Sequence, residues 1–320
     1  MKKYLFSAAA LFAASAFAQS SITLYDRVDI GVFHQSGGTT PINGGNGVVG
    51  PAGERYEVKQ GSAGRLGFRG VEDLGGGLSA KFILEHRFQA DTGVPENPFW
   101  QARSFVELES RELGAVYAGR EYIPAFWPAL KLDPWGFDST GTPGPKHQFA
   151  NYTVDGGIRS NNTVAYRTPN WGGFQSLVAW STGEGARSNS VGANVEYTSG
   201  PVYLGAAFDK TNDQNKLMLL GGSYDLGIVR PAITLVESTV AGAKNKNVTL
   251  TARIPVGTHL IKLGAARLDL AGPNNTNTRL SAGYEHFLSK RTSWLVNVGT
   301  AKQGPLTRTT LFDLTLKHNF

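Results

Sequence analysis

Charged side chains lie on the side opposite to the apolar residues in most of the alternating segments of this 320-residue chain. These charges are Arg27, Asp29, Arg65, Arg69, Lys81, Glu85, Glu196, Arg253, Arg279, Glu285 and Asp313. They are spread along the sequence rather than grouped as a nucleophile, a base and an orienting group, which nucleophilic catalysis requires. Charges in this arrangement attract or repel ions in the water beside a sheet.

The histidines do not suggest a catalytic or metal site. His34 and His147 fall in predicted loops, the other four lie in predicted strands, and no Gly-x-Ser-x-Gly motif is present. The formal net charge is +6, but the Lys and Arg residues are scattered and form no basic patch for nucleic acid. We therefore expect no enzymatic activity, no metal, no cofactor and no nucleic-acid partner.

The segments that carry these charges alternate with a period of two. In the segment 21–33, Ile22, Leu24, Val28, Ile30 and Val32 are apolar, and polar residues separate most of them. The last segment alternates in the same way through Phe312, Leu314 and Leu316 to a terminal Phe320. A period of two predicts β-strands with one apolar face, so the fold class is all-β.

The predicted connections alternate between short turns and long polar loops. The long ones lie near 34–60, 89–98, 123–158, 182–189, 209–215, 237–245, 269–277 and 300–309. Together with the seven short turns they join sixteen strands. Short turns at one end and long loops at the other indicate a transmembrane antiparallel β-barrel, apolar towards lipid and charged inside. A secreted sandwich or solenoid is the alternative, and it predicts apolar faces turned towards a dry core.

Both ends of the sequence fit export to a membrane. Residues 1–18 carry Lys2 and Lys3, an apolar run and Ala16-Phe17-Ala18, which predicts a signal peptide followed by a barrel domain at 19–320. There is no cysteine, so disulfides cannot stabilise the exported protein. A closing strand that ends on Phe320 is expected to be the signal that the barrel-assembly machinery recognises.

Several stretches resemble the general diffusion porins of β-proteobacteria, the group that includes the Neisseria and Burkholderia porins. The matching stretches are SITLYDRVDIGV at 21–32, GRLGFRGVEDLGGGLSAKFILE at 64–85, GREYIPAF at 119–126, GGIRSNNTVAYRTPNWGGF at 156–174, LSKRT at 288–292 and the closing HNF. The resemblance implies a homotrimer in the outer membrane of a Gram-negative bacterium. Each sixteen-stranded barrel would fold its long third loop, 123–158, into the lumen and pass small hydrophilic solutes and ions by diffusion.

The resemblance also implies a constriction at which a basic wall faces acidic groups. Arg65 and Arg159 match the family's wall arginines, whereas Arg103 lies one position after the usual site, where this chain has Ala102. Lys81 is a further basic candidate, Glu85 matches an acidic partner, and Glu121, Asp133 and Asp138 are candidates from the third loop. We therefore predict weak anion selectivity. A substrate-specific channel, for example for small organic anions, and a non-conducting structural or adhesin barrel are the alternatives.

Overall fold

The computed structural model describes residues 20–42, 52–137, 147–155 and 157–320. The strands are β1 Ser21–Gln35, β2 Arg55–Gln60, β3 Gly64–Gly75, β4 Leu78–Phe88, β5 Arg103–Ser110, β6 Gly114–Tyr122, β7 Arg159–Arg167, β8 Phe174–Ser181, β9 Ser190–Ser199, β10 Val202–Asn212, β11 Asn215–Tyr224, β12 Arg230–Val240, β13 Ala243–Val256, β14 His259–Asp269, β15 Thr276–Phe287, β16 Thr292–Gln303 and β17 Thr309–Asn319. A helix, α1, spans Phe126–Leu132. No helix in these ranges is long and apolar enough to cross a membrane. The predicted signal peptide at 1–18 lies outside them.

All strands belong to one antiparallel sheet that closes on itself. Each strand from β3 to β16 pairs with the next along the chain, and β17 pairs with β1 from Asn319 opposite Arg27 to Leu311 opposite Gln35. The backbone N–H of Phe320 continues this seam with a hydrogen bond to the carbonyl of Asp26, at 3.2 Å. Closure pairs every strand edge, so the fold is the predicted barrel.

The described residues form seventeen strand segments, but β2 and β3 are two parts of one interrupted strand, so the barrel wall has sixteen strands. β2 pairs with the second half of β1, and β3 pairs with the first half. At the break, Ser62 donates hydrogen bonds from its backbone N–H and its hydroxyl to Asp29 Oδ2, at 2.8 and 2.7 Å. The first loop is therefore shorter than the predicted 34–60, because β1 reaches Gln35 and β2 starts at Arg55.

The barrel is apolar outside and polar inside. Residues at alternate strand positions that project outward are exposed, among them Leu204, Met218, Leu220, Ile233, Val248 and Leu250. The positions between them point inward and include buried polar residues such as Asn247 and Thr249. This arrangement is the reverse of a soluble sandwich with a dry core.

The third loop lies against the inner wall of the barrel. It contains α1, which packs against β10, β11 and β12. Pro128 is tolerated because it lies in the first helical turn, where a backbone N–H has no partner within the helix. Ala129 and Leu132 on the same helix are buried, and Ala129 belongs to a cluster that includes Leu217 and Leu219 of β11. The main apolar cluster of the molecule is thus the contact between this loop and the wall.

Hydrogen bonds between the loop and the wall fix the loop inside the lumen. The backbone N–H of Ala125 donates to Asp209 Oδ2 of β10 at 3.0 Å, and Thr251 Oγ1 of β13 donates to the carbonyl of Leu132 at 2.8 Å. Farther along, Trp135 Nε1 donates to Asn297 Oδ1 of β16 at 3.0 Å. The loop therefore crosses the barrel and narrows its cross-section.

Candidate functional site

A cavity that we call the main cavity lies between the third loop and the barrel wall, and its volume is about 870 Å³. Its basic lining residues are Arg27, Arg65, Arg87, Arg103, Arg159, Arg253, Lys262 and Lys317, and its acidic ones are Glu85, Glu96, Asp133 and Glu285. The structure thus brings together five of the predicted site residues: Arg65, Arg103, Arg159, Glu85 and Asp133. Eight positive and four negative charges make this narrow section basic.

Three arginines form a row across neighbouring strands on one side of the cavity. The pairing register places Arg27 of β1 opposite Arg65 of β3, and Arg65 opposite Arg87 of β4. Neighbouring strands lie about 4.8 Å apart, so the three guanidinium groups project from one level of the wall. Register, which the sequence alone did not fix, is what converts separate arginines into one basic surface.

Tyr122 connects this row to Arg159. Its hydroxyl accepts hydrogen bonds from Arg159 Nη2 at 2.7 Å and from Arg87 Nη2 at 3.1 Å. The ring of Tyr122 stacks on Phe126 of α1, with centroids 3.7 Å apart, and Arg159 Cζ lies 4.4 Å from the Tyr122 centroid. The loop helix therefore helps to position the arginines on the wall through one aromatic ring.

Glu85 is the buried counter-charge of this wall. Arg87 Nη2 is 3.1 Å from Glu85 Oε1, and the hydroxyl of Tyr25 donates to Glu85 Oε2 at 3.0 Å. The carboxylate neutralises part of the row and holds Arg87 in place. Glu85 lies opposite Arg103 in the pairing of β4 with β5.

Arg103 points into the lumen although the family motif would place the arginine one position earlier, at Ala102. Its Nε donates to Glu121 Oε1 at 3.0 Å and to Oε2 at 2.8 Å. Glu121 belongs to β6, so its expected position in the third loop is wrong. It does not line the main cavity and instead lies beneath Arg103.

The part of the wall that adjoins β1 through β17 carries basic residues that the sequence analysis did not assign to the constriction. Glu285 of β15 forms ion pairs with Lys262 of β14 at 2.8 Å and with Lys317 of β17 at 2.5 Å. The alternation identified the charged side of Lys317, but Lys262 follows Leu260, an apolar residue that also faces inward. A strand with apolar residues on both faces gives no clear signal for its lumen side.

Asp133 lies in the third loop as expected, but it mainly organises the loop. Its two oxygens accept the backbone N–H groups of Trp135 at 3.0 Å and Phe137 at 2.9 Å, and Gln148 Nε2 donates to it at 3.2 Å. Burial raises the pKa of Asp133 above its usual range, although these hydrogen bonds and the charge of Lys262 oppose that effect. Asp138, the remaining loop candidate, lies outside the described residues.

Lys81 does not line the cavity, which corrects the expectation that it belongs to the basic wall of the constriction. It forms an ion pair with Glu109 and lies 3.8 Å from Glu107. On β4 it precedes Glu85 by four residues, a separation of about 13 Å along the strand. The side of the strand was predicted correctly, whereas the height along the barrel was not. In the described residues, no group of three or more His, Cys, Asp or Glu could hold a metal ion.

Comparisons with known proteins agree with this architecture. A family model described as "Gram-negative porin" matches residues 6–304. The "Outer membrane porin protein 32" of Delftia acidovorans is 33% identical over 94% of this chain and 90% of its own length. The "Major outer membrane protein P.IB" of Neisseria meningitidis serogroup B / serotype 15 is 24% identical over 95% of this chain and 94% of its own length. A solved structure named "Anion-selective porin from Comamonas acidovorans" superposes with a TM-score of 0.78, at 26% identity, and covers 94% of this chain and 100% of that one.

Proposed function

The chain belongs to the Gram-negative porin family, and we propose that the basic lining of its water-filled channel makes this outer-membrane porin weakly selective for anions. The observation that carries the proposal is the excess of eight basic over four acidic side chains around the main cavity. A similar solved structure is named as an anion-selective porin, which supports the same sign.

The size of the effect follows from the water in the pore. Two unit charges about 4 Å apart interact by about 1 kcal/mol in bulk water and by about 4 kcal/mol at an effective dielectric constant near 20. A hydrated lumen is closer to the first value, which corresponds to a preference of about fivefold. We therefore expect a bias in permeation rather than tight capture of an anion.

Within this proposal, the wall residues have different roles. Arg65 and Arg159 carry the field that a passing ion meets, and Arg103 adds to it above its partner Glu121. Glu85 and Asp133 limit the excess of positive charge, and Asp138 supplies a further negative charge from the loop. Lys81 has no part in this section.

We also propose how the protein is exported and assembled, as the sequence predicts. Residues 1–18 direct export and are removed, the protein assembles as a homotrimer, and Phe320 is read by the barrel-assembly machinery. The channel performs no catalysis, since transport by diffusion requires only the charged lumen. The alternative function, a channel specific for small organic anions, would depend on the same basic lining.

The reversal potential of refolded protein in a planar bilayer under a salt gradient tests the proposal. Arg65→Glu and Arg159→Glu are each expected to lower the ratio of anion to cation permeability severalfold. Lys244→Glu is the matched control, because Lys244 is exposed and does not line the cavity. An unchanged ratio in both lumen variants would refute anion selection by this wall. Absence of any conductance steps would favour the structural or adhesin barrel.

A further inference from the structure

The outer face of the barrel carries a row of basic side chains at its long-loop end, which we call the basic belt. Alternation turns these side chains away from the lumen, because the residues beside them, such as Leu217, Asn245 and Leu268, are buried on the inner face. The belt runs from β11 to the start of β17 and consists of Lys216, Lys244, Lys246, Arg267, Lys302 and Arg308. The carboxylates on the same face at this level are Glu237 and Asp269.

Strand register joins the first four of these residues into one continuous surface. Lys216 lies opposite Thr239, and Thr239 lies opposite Lys244. Neighbouring strands are about 4.8 Å apart, so the two lysines are separated by about 10 Å across the sheet. Lys246 follows Lys244 by two residues on the same face, and Arg267 of β14 is its diagonal neighbour. The belt is therefore a patch of adjacent charges and not a set of scattered ones.

The two carboxylates neutralise only part of the belt. Glu237 Oε1 lies 2.9 Å from Lys246 Nζ, and Asp269 Oδ2 lies 3.0 Å from Arg267 Nε. Each acid thus has a partner already, and each of these pairs has no net charge. The excess positive charge of the belt comes from its other four members.

These four side chains form no ion pair with any residue that the structure describes. Lys302 Nζ donates to a main-chain carbonyl of the next loop at 2.7 Å, and Arg308 Nη1 donates to Thr300 Oγ1 at 3.0 Å. Lys216 and Lys244 are exposed. Like charges that lie close together on a sheet repel each other, so an anion placed among them would be stabilised.

The belt borders the apolar band of the outer wall. Towards the short-turn end, the next outward residue after Lys216 is Met218, and the next after Lys246 is Val248, both of which are exposed. A charge on the lipid face of a barrel is least unfavourable near the membrane interface, which places the belt at the level of the lipid headgroups. Long loops of bacterial barrels are extracellular, so these headgroups belong to the outer leaflet.

Other parts of the same rim are apolar. On β8 and β9 the outward residues nearest to the long loop are Trp180 and Val191, which lie opposite each other and are exposed. The basic belt is therefore a local feature of one side of the barrel. A general attraction between a basic protein and an anionic membrane would not require such a patch.

We propose that the basic belt binds the phosphate groups of anionic lipids in the outer leaflet, while their acyl chains pack on the apolar band beside it. Lys216 and Lys244 have long, flexible stems, so their ammonium groups can both reach a phosphate that lies between them. An acidic protein is a poorer candidate, because it would have to occupy lipid-facing surface as well. The belt would thus hold one class of lipid against part of the barrel circumference, independently of the ions that pass through the lumen.

The test measures lipid composition beside the belt in the full-length refolded porin. The chain contains no cysteine, so Met218→Cys introduces a single site for a fluorescent label next to Lys216. The labelled protein is placed in phosphatidylcholine vesicles, and quenching by nitroxide-labelled phosphatidic acid is compared with quenching by nitroxide-labelled phosphatidylcholine. We expect phosphatidic acid to be favoured at least about fivefold, the contribution of one basic residue at a membrane surface.

Val191→Cys with the same label is the matched control, because Val191 faces lipid outside the belt. It should show nearly equal quenching by the two lipids. Replacing both Lys216 and Lys244 by glutamine should reduce the preference at the Met218→Cys label about fivefold or more, whereas Lys290→Gln, which removes an exposed lysine at the short-turn end, should not change it.

Equal quenching by the two lipids at the Met218→Cys label would overturn the inference. An equal preference for phosphatidic acid at both label positions would also overturn it, since the preference would then not come from the belt. The comparison of the two label positions needs no change in the belt, so it remains decisive if the lysine variants do not refold. A preference that survives the loss of both lysines would exclude them as the lipid ligands.

Discussion

The side chains of Arg103 and Glu121 form an ion pair across β5 and β6, with Arg103 Nε 2.8 Å from Glu121 Oε2. The carboxylate side chain is 3% exposed and the guanidinium side chain is 20% exposed. The pair therefore presents its positive member to the lumen and covers its negative member. The effective charge at this point of the wall depends on how completely Glu121 neutralises Arg103.

Replacing Glu121 by glutamine should increase the anion preference of the channel. The change preserves the shape of the side chain and removes the negative charge beneath Arg103, so the positive potential in the lumen rises. We expect the permeability ratio of chloride to potassium to increase by up to about fivefold, the limit for one charge in a hydrated pore. Reversal potentials measure this ratio.

Glu109→Gln is the control for that experiment, because Glu109 does not line the main cavity. Its effect on the permeability ratio should be small. A Glu121→Gln channel with the selectivity of the wild type would mean that Arg103 does not contribute to the field in the lumen.

Replacing Gly283 by valine should loosen the third loop. A Cβ atom at Gly283 would lie 2.7 Å from Trp135 Nε1 and 2.5 Å from Asn297 Oδ1, so it would break the hydrogen bond between them. Overpacking of this kind costs about 1–3 kcal/mol, and the loop can relieve it by moving away from the wall. We expect a larger and noisier single-channel current with little change in the thermal unfolding of the barrel.

Ala282→Val, on the adjacent outward position of β15, provides the comparison for Gly283→Val. It adds two methyl groups on the lipid side and should leave the current unchanged. If both variants conduct like the wild type, the contact of Trp135 with the wall does not hold the loop.

The ion pair of Asp155 with Arg187 should make loop anchoring dependent on pH. Burial raises the pKa of Asp155, but the hydrogen bonds from Arg187 and from the backbone N–H of Asn161 outweigh it, so the pKa lies below its usual range. A lowered pKa in the folded state means that the pair stabilises the protein above the unfolded-state pKa of about 3.9. The stabilisation is lost as pH falls from that value through the folded-state pKa.

Asp155→Asn should therefore lower stability by about 1 kcal/mol or less at pH 7, a small value because the pair is partly exposed. The difference from wild type should disappear in strong acid, where Asp155 is protonated in both folded and unfolded chains. The φ angle of Asp155 is 44°, a region that asparagine also tolerates, so the backbone should not change. Thermal unfolding in detergent at the two pH values measures the effect, and a difference that persists in acid would exclude the ion pair as its cause.

Anion selectivity should weaken as the salt concentration rises. The Debye length falls from about 10 Å at 0.1 M to about 3 Å at 1 M, so mobile ions screen the wall from the centre of the lumen. Reversal potentials measured at one concentration ratio and increasing mean salt should approach the value set by ionic mobilities. A ratio that does not change with salt would point to selection by direct binding instead of by the field.

The sequence was sufficient for the fold because its signal is local and repeated. Alternation along each strand and the order of short and long connections predict the barrel. The sequence did not locate the break between β2 and β3, because β2 at Arg55–Gln60 fell within the predicted first loop and the position of Ser62 depends on Asp29 of another strand. Strand ends were accordingly less accurate than strand number.

The site was predicted in part, for a physical reason. Alternation determines which side of a strand a residue occupies, and on that basis Arg65 and Lys81 are both lumen residues. Whether they lie at the same height along the barrel axis depends on the stagger between strands and on where the third loop crosses the lumen. Neither can be predicted from the sequence of a single strand. Lys262 was missed for a different reason, because its inward neighbour Leu260 is apolar and the alternation on β14 did not identify the lumen side.

The closed ladder of main-chain hydrogen bonds around the barrel has a consequence for how such proteins evolve. Each wall strand is joined to its neighbours through backbone groups, which every amino acid except proline supplies in full. Replacing a charged side chain in the lumen changes ion selectivity without removing a backbone hydrogen bond that closes the barrel. A single substitution in the lumen can therefore change which solutes pass most readily, while selection on the outer surface and on the backbone scaffold proceeds separately.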